Sequence, residues 1–373
     1  MSLSVGIVGL PNVGKSTLFN ALTKRQQAAA ENYPFCTIEP NSAVVDVADE
    51  RLAALAEIVH PQQIIRATVS FTDIAGLVKG ASKGEGLGNK FLANIRECDA
   101  ILHVVRCFEN DDIIHVQEGG NRSAPIDPAG DAEVIETELV LADMEQLQRR
   151  LDRTAKEAKA DPKKRPELEA MTALLAHLEN GKPVRTFPRA EGDAILPVLR
   201  DLHFLTDKKT IYCANVSDDN VTGDGNPYVA ALKAYADAQG CEMVVVCAQM
   251  EADLAGLSEE ETREFLSSYG LTAGSLDRTI RLAYHTLGLA SFLTAGPKEV
   301  RAWTFRRGWK APQCAGVIHT DFEKGFVRAQ VIAFDAYVQH GGEAGARAAG
   351  ALRAEGKEYE MQDGDVVEFL FNR

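Results

Sequence analysis

The stretch Gly9-Leu10-Pro11-Asn12-Val13-Gly14-Lys15-Ser16 decides the fold of this chain. It matches the phosphate-loop pattern G-x-x-x-x-G-K-[ST] at every position. The apolar run at residues 3–8 before it predicts a buried parallel strand, and residues 17–22 after it predict the first helix. A strand, a glycine-rich loop and a helix in this order predict a polyphosphate site at a helix N-terminus, and hence a bound nucleoside triphosphate.

The pattern also predicts which residues of the loop contact the nucleotide. Lys15 is expected to reach the β- and γ-phosphates and to take part in catalysis, while the Ser16 hydroxyl is expected to ligate Mg²⁺. The predicted nucleotide-binding residues of this stretch are Asn12, Val13, Gly14, Lys15, Ser16 and Thr17.

Two downstream segments add candidates for the metal and the γ-phosphate. Thr37, in the proline-bounded loop 32–41, is a candidate for both contacts, with an ordinary loop threonine as the alternative. Asp73 follows a predicted strand at 67–72 and is expected to hold Mg²⁺ through water. Gly76 is expected to bring its N–H against the γ-phosphate, as part of the catalytic set. The glycine-rich segment 80–88 is expected to be mobile without nucleotide and ordered with it.

Composition narrows the class of protein. The chain has 373 residues, 45% of them hydrophobic and 25% charged, which is ordinary for a globular protein with two or three domains. It contains no apolar run long enough to span a membrane, and its seven scattered cysteines predict free thiols in the cytoplasm. The net charge of −14 argues against a protein that coats nucleic acid. Since residues 201–276 carry 13 acidic and 4 basic residues, any RNA contact has to be local.

The remaining pattern predicts a sheet, an inserted hairpin and a C-terminal module. Further strands are expected at residues 42–47, 100–105, 209–214 and 242–246. Between them, residues 131–160 and a second leucine-striped segment predict an antiparallel helical hairpin of coiled-coil type. Its basic turn is either an RNA-contacting tip or a solvated lysine-rich face; the turn contains Lys156, Lys159, Lys163, Lys164 and Arg165.

From about residue 275 the pattern changes to a small α+β module. A helix is expected at 279–289, with short strands at 300–305, 314–318, 326–332 and 366–371. The predicted fold class is therefore α/β, a P-loop NTPase with a mostly parallel sheet, the inserted hairpin and this module. The predicted domains are residues 1–128 and 200–276 for nucleotide binding, 129–199 for the hairpin and 288–371 for the module.

Several motifs together resemble a known family. The phosphate loop and the segments 73–81 and 84–88 resemble the Obg family of P-loop NTPases, and segments 35–41 and 215–218 resemble its YchF subfamily, the Obg-like ATPases. Segments 300–304 and 316–322 resemble the TGS domain of that subfamily. The resemblance implies a cytoplasmic, Mg²⁺-dependent ATPase that associates with the ribosome and has links to translation and stress responses.

We expect the nucleotide base to be selected by residues that follow the predicted strands at 209–214 and 242–246. The predicted contacts are Asn215, Val216, Asp218, Cys247 and Ala248. A guanine site of this fold uses N-K-x-D, and here Val216 replaces the lysine, so ATP is expected to be preferred. Asp218 stands where the subfamily usually has Glu, and Asp is the residue type that reads guanine. A GTPase of the same fold therefore stays an alternative, as does a binding module in which nucleotide occupancy rather than turnover matters.

The catalytic group is not evident in the motifs. The position after Gly76 is Leu77, whereas relatives with ordinary hydrolysis have a water-orienting Gln there, so slow turnover is expected. Asn12 matches the residue that positions K⁺ in cation-dependent members of this wider class. His115, in the polar loop after the strand at 100–105, is the other candidate, as orienter or base, unless it is a surface histidine. A monomer is expected off the ribosome.

Overall fold

A computed structural model of the chain describes residues 3–30, 41–74, 87–110 and 125–372. Two compact units are distinguished by their internal contacts. The first comprises residues 1–43 and 70–279, and the second comprises residues 44–69 and 280–373. The second unit therefore takes in a segment from the N-terminal quarter of the chain.

The phosphate loop belongs to a six-stranded sheet with the order β2-β4-β1-β5-β6-β7. The pairings of β1 with β4 and β5, and of β6 with β5 and β7, are parallel. This arrangement confirms the predicted P-loop fold with a mostly parallel sheet. The strands are β1 (Ser4–Val8), β2 (Ser42–Asp46), β4 (Thr68–Asp73), β5 (Ala100–Arg106), β6 (Lys209–Asn215) and β7 (Glu242–Val246).

Helices connect these strands. The helix after the phosphate loop, α1 (Lys15–Ala30), begins at the lysine of the motif, so its first N–H groups have no partner within the helix. The other helices that begin in the first unit are α3 (Leu87–Glu97), α4 (Pro128–Ala160), α5 (Arg165–Glu179), α6 (Ile195–Leu202), α7 (Pro227–Ala238), α8 (Ala248–Leu254), α9 (Glu259–Ser268) and α10 (Ser275–Thr286).

The inserted hairpin consists of α4 and α5, joined by a 3₁₀ turn over Pro162–Lys164. Asp127 caps the start of α4 by accepting from the Gly130 N–H, and Pro128 occupies the first turn, where its missing N–H costs nothing. Apolar side chains from both helices form one buried cluster, which includes Val140, Leu147, Met171, Leu174 and Leu178. Met144 and Leu151 of the predicted stripe lie against this cluster.

A buried carboxylate anchors the root of the hairpin. Asp143 of α4 is 0% exposed and accepts from the Leu205 N–H at 2.9 Å, the Thr206 N–H at 2.8 Å and the Thr206 hydroxyl at 2.7 Å. Burial raises the pKa of Asp143 to about 6, and the three donors oppose that rise. The group is therefore ionised at neutral pH, when it serves as acceptor for all three.

The second unit contains another six-stranded sheet, in the order β11-β10-β12-β8-β9-β3. Its strands are β3 (Gln63–Ile65), β8 (Leu289–Ala295), β9 (Glu299–Arg306), β10 (Phe326–Ala333), β11 (Arg353–Glu355) and β12 (Asp365–Phe371). Its helices are α2 (Glu50–Val59), α11 (Ala311–Ile318), α12 (Thr320–Lys324), α13 (Phe334–Gln339) and α14 (Glu343–Ala348).

The strand predicted at residues 314–318 is wrong, because these residues form the end of α11. Pro312 stands in the first turn of this helix, and the Gln313 side chain accepts from the Lys310 backbone N–H at 2.9 Å. Cys314 and Ala315 are 0% exposed and pack into the core of the second unit. A short apolar run suits a buried helix as well as a strand, and here the start signals determine the outcome.

Candidate functional site

A cleft of about 880 Å³ lies at the carboxyl edge of the first sheet. Parallel strands place their following loops at one edge, where ligands of such folds bind. Here the loops after β1, β5, β6 and β7 meet. Its lining is Asn12, residues 14–17, residues 108–110, residues 215–219, Ala248 and Gln249.

The glycines of the phosphate loop occupy positions that exclude a side chain. A Cβ on Gly9 would lie 2.4 Å from the Val104 carbonyl oxygen. Gly14 has φ +97°, which favours glycine, and a Cβ there would lie 2.2 Å from the Asn215 Nδ2. Asn12 also has a positive φ, of 62°, in a region that asparagine tolerates. The motif thus keeps its backbone close to the neighbouring strands.

Asn215 joins the phosphate loop to the loop after β7. Its Nδ2 donates to the Val13 carbonyl at 2.8 Å, and its Oδ1 accepts from the Ala248 N–H at 3.0 Å. The side chain is 5% exposed, so both hydrogen bonds are made away from water. Asn215 therefore ties the phosphate loop to the loop after β7.

The Lys15 side chain folds back onto its own phosphate loop. Its Nζ donates to the Leu10 carbonyl at 2.7 Å, and the residue is 7% exposed. Burial lowers the pKa of Lys15 to about 8, and attraction to Asp73 opposes that shift. Burial also raises the pKa of Asp73, with Lys15 opposing. A buried ammonium is stabilised by an anion, so the site is electrostatically prepared for phosphate.

This lowered pKa predicts the pH dependence of nucleotide affinity. We expect phosphate to bind the ammonium form of Lys15, which is the main form below pH 8 and is lost above it. Affinity for ADP with Mg²⁺ is therefore expected to be constant up to about pH 7 and to be about tenfold weaker at pH 9. Titration calorimetry checks this. Lys15→Arg stays charged, so its residual binding should not decline over this range, and a decline would contradict the assignment.

Ser16 and Asp73 provide oxygens of the kind that Mg²⁺ takes. Ser16 is exposed in the cleft, and Asp73 ends β4 in register with Ile7 of β1, beside the loop. Among the described residues no group of three or more His, Cys, Asp or Glu is arranged to hold a metal alone. The donors present therefore fit an ion held jointly with nucleotide phosphates, as Mg²⁺ is in such sites.

The segment after β6 differs from the N-K-x-D pattern of a guanine site at one position, where Val216 replaces the lysine. Val216 is 2% exposed and packs in the core cluster with Ala214, Val221 and Val229. Its N–H donates to the Val246 carbonyl at 2.9 Å, so this N–H is not available to a base. Asp218, at the start of a short 3₁₀ helix, is exposed and lines the cleft.

The structure brings most of the candidates together at this cleft. Cys247 and Ala248 are each 2% exposed at the start of α8. The Ala248 N–H donates to Asn215, and the Cys247 side chain is buried. Outside the described residues lie Thr37, Gly76, Leu77, His115 and residues 80–86 of the glycine-rich segment, whereas Leu87 and Gly88 begin α3.

Sequence reasoning did not find the segment of residues 108–110, which lines the cleft, or Arg106 behind it. The available signal was an arginine at the end of a strand that otherwise contains no Asp, Glu, Lys or Arg.

The fold, the glycine-rich loop, the buried lysine and the asparagine brace define a P-loop NTPase. Residues 4–150 match the MMR_HSR1 family, described as "50S ribosome-binding GTPase". Residues 289–372 match YchF-GTPase_C, described as "Protein of unknown function (DUF933)". The chain belongs to the YchF family of Obg-like ATPases, as predicted, because full-length relatives share about half of its residues.

Three relatives illustrate the similarity. The "Ribosome-binding ATPase YchF" of Bacillus subtilis (strain 168) is 51% identical, and that of Escherichia coli O157:H7 is 53% identical, each covering 100% of both chains. The "Obg-like ATPase 1" of Xenopus laevis is 44% identical over 100% of this chain and 93% of the relative.

A solved structure supports the fold as well. The YchF GTPase of Schizosaccharomyces pombe has a TM-score of 0.87 and 37% identity, covering 99% of this chain and 98% of that one. None of the described helices is both long and apolar enough to cross a membrane.

Proposed function

We propose that this chain is a Mg²⁺-dependent ATPase that acts as a nucleotide-controlled switch on the ribosome in the cytoplasm, as a monomer when released. One observation carries the choice of base. The Val216 side chain is buried in the core, so the lysine wall of a guanine site is missing while Asn215 still braces the loops. The names of the relatives support ATP as the substrate and the ribosome as the partner.

Competition binding tests the choice of base. ATP and GTP compete with a fluorescent ADP analogue at constant free Mg²⁺, and ATP is expected to bind more tightly. Asp218→Asn, which removes the carboxylate that could accept from guanine N–H groups, is expected to weaken GTP more than ATP. GTP binding at least as tightly as ATP to the wild type would favour the GTPase alternative.

The proposed Mg²⁺ ligands are Ser16, Thr37 and Asp73. When bound, the ion would neutralise phosphate charge in the site. Ser16 and Asp73 have exposed or half-buried oxygens beside the loop. Ser16→Ala and Asp73→Asn should therefore each weaken the Mg²⁺-dependent part of ADP binding and spare the Mg²⁺-independent part.

Two groups are proposed to replace the water-orienting Gln that relatives with ordinary hydrolysis have at the position of Leu77. Asn12, which lines the cleft in a positive-φ conformation, would position K⁺, an ion that would offset phosphate charge. His115 would orient water or act as base. In single-turnover experiments, replacing Na⁺ by K⁺ is expected to accelerate hydrolysis, by up to about 10³-fold if the ion acts as an arginine finger does. Equal rates would exclude the cation, and a His115→Ala rate equal to wild type would exclude the histidine.

The proposed domains are residues 1–128 and 200–276 for nucleotide binding, residues 129–199 for the hairpin and residues 288–371 for the TGS module. The hairpin turn is proposed as a ribosome contact. Lys156, Lys159 and Lys163 are exposed there, whereas Lys164 pairs with Glu167 at 2.8 Å. Exposed lysines at the turn of a helical hairpin suit phosphate contacts.

Salt dependence tests that contact. Each phosphate contact releases counterions, so ribosome affinity should fall steeply with salt. Replacing Lys159 and Lys163 together by Gln is expected to reduce the slope of log affinity against log salt by roughly 1 to 2. The matched control replaces the exposed Lys182 and Lys233 by Gln and should leave the slope unchanged. An unchanged slope in the tip variant would remove the hairpin turn from the contacts.

A further inference from the structure

Arg106 is a charged residue at the end of a strand that is otherwise without charge. All seven residues of β5 are buried, and Arg106 is 2% exposed. A buried guanidinium is costly unless its N–H groups and its charge are matched. The groups that surround Arg106 therefore indicate its role.

The guanidinium holds the segment that follows it. Its Nε donates to the Phe108 carbonyl and its Nη2 to the Asn110 carbonyl, both at 3.0 Å. Its Cζ lies 4.9 Å from the centre of the Phe108 ring. Burial lowers the pKa of Arg106, and attraction to Asp131 in the first turn of α4 opposes that shift.

The held segment lies at the base end of the cleft. Residues 108–110 line the cleft, and the Cys107 carbonyl accepts from Asn226 Nδ2 at 3.0 Å. Tyr228 donates its hydroxyl proton to the Glu109 carboxylate. Asn226 and Tyr228 begin α7, directly after the loop that carries Val216 and Asp218. These two contacts attach the segment to the start of α7, which follows the loop that carries Val216 and Asp218.

We propose that Arg106 is a positioning residue for nucleotide base recognition: it holds residues 108–110 as one wall of the base pocket. The inference rests on the proposed nucleotide binding and adds to it the residue that shapes the base pocket. With the Val216 side chain in the core, the base needs another apolar surface, and Phe108, half-buried and lining the cleft, offers one. The Arg106 fork fixes that surface by two carbonyl contacts and by stacking.

The test separates base binding from phosphate binding. Affinities for ATP and for inorganic tripolyphosphate, each with Mg²⁺, are measured for wild type, Arg106→Met and Arg106→Lys. Arg106→Met is expected to lose about tenfold in ATP affinity, the order expected for one stacking surface, and less than twofold in tripolyphosphate affinity. Arg106→Lys keeps the positive charge but not the forked guanidinium, so its ATP affinity should fall between those of wild type and Arg106→Met. Arg149→Met, on the exposed face of α4, is the control and should match wild type.

Two further measurements separate positioning from a general structural role. If Arg106 acts through Phe108, the losses of Arg106→Met and Phe108→Ala should not add in the double variant. Equal losses for ATP and tripolyphosphate, or additive losses, would overturn the inference. If Arg106→Met does not fold, Arg106→Lys decides the question by the same ratio of affinities. If the wild type prefers GTP, the proposed base choice fails, and the Arg106 inference is judged on GTP against tripolyphosphate.

Discussion

Replacing Lys15 with alanine is expected to weaken ATP binding by at least about a hundredfold. Lys15 is 7% exposed, and its ammonium group lies within the phosphate loop, where it donates to the Leu10 carbonyl. Hydrogen bonds to charged groups contribute about 1.5–3 kcal/mol each, and contacts with two phosphates would be lost together. Titration calorimetry with ATP and Mg²⁺ measures the loss directly.

The matched control for this change is Lys233→Ala. Lys233 is exposed on α7 and pairs with Asp237, away from the cleft lining, so its loss should leave ATP affinity unchanged. Full ATP affinity in Lys15→Ala would contradict the assignment of the loop as a phosphate site.

Replacing Asp143 with alanine is expected to destabilise the first unit by about 3–5 kcal/mol. The change removes the acceptor of the Leu205 N–H, the Thr206 N–H and the Thr206 hydroxyl at a fully buried position. Each buried donor left without a partner costs about 1–3 kcal/mol. Chemical denaturation followed by circular dichroism measures the change in the free energy of unfolding.

An acidic residue on the surface of the same helix provides the control. Asp152 is exposed and accepts from the Gln148 side chain, so Asp152→Ala should change the stability by less than about 0.5 kcal/mol. Asp143→Asn keeps one acceptor oxygen and should fall between wild type and Asp143→Ala. A loss in Asp143→Ala no larger than in Asp152→Ala would show that the anchor does not hold the hairpin root.

The nucleotide fold could be predicted because its signals are local. The phosphate loop contains its own glycines, and the flanking strand and helix have clear apolar patterns. The hairpin could also be predicted, because the apolar stripes of α4 and α5 are long. In contrast, the buried role of Asp143 could not be predicted, because an acidic residue in a polar helix gives no sign of partners 62 and 63 residues away.

The second unit was harder to predict because its pairings are distant in sequence. β3 pairs in parallel with β9, so that Gln63 lies opposite Glu299, and nothing local indicates that partner. The helix α2 did have a local signal, since Asp49 caps it and Leu52 and Leu55 are buried. Residues 314–318, which end the helix at 311–318, were mistaken for a strand because their apolar run outweighed the start signals at Pro312 and Gln313.

At the site, the motif residues could be predicted but the supporting residues could not. Lys15 and Asn215 belong to recognisable patterns, and both line the cleft. Arg106 acts through carbonyl groups of the chain that follows it, and backbone contacts of this kind leave no sequence pattern. The wall formed by residues 108–110 therefore became visible only with the loops in place.

The central claim, that this chain hydrolyses ATP in a Lys15-dependent site, is tested most directly by phosphate release. The full chain is supplied with ATP or GTP at equal concentration, with Mg²⁺ and K⁺, in the presence and absence of ribosomes. We expect slow release from ATP that exceeds release from GTP and is absent in Lys15→Ala. Release from GTP at least as fast as from ATP, no release from ATP under either condition, or unchanged release in Lys15→Ala would contradict the account.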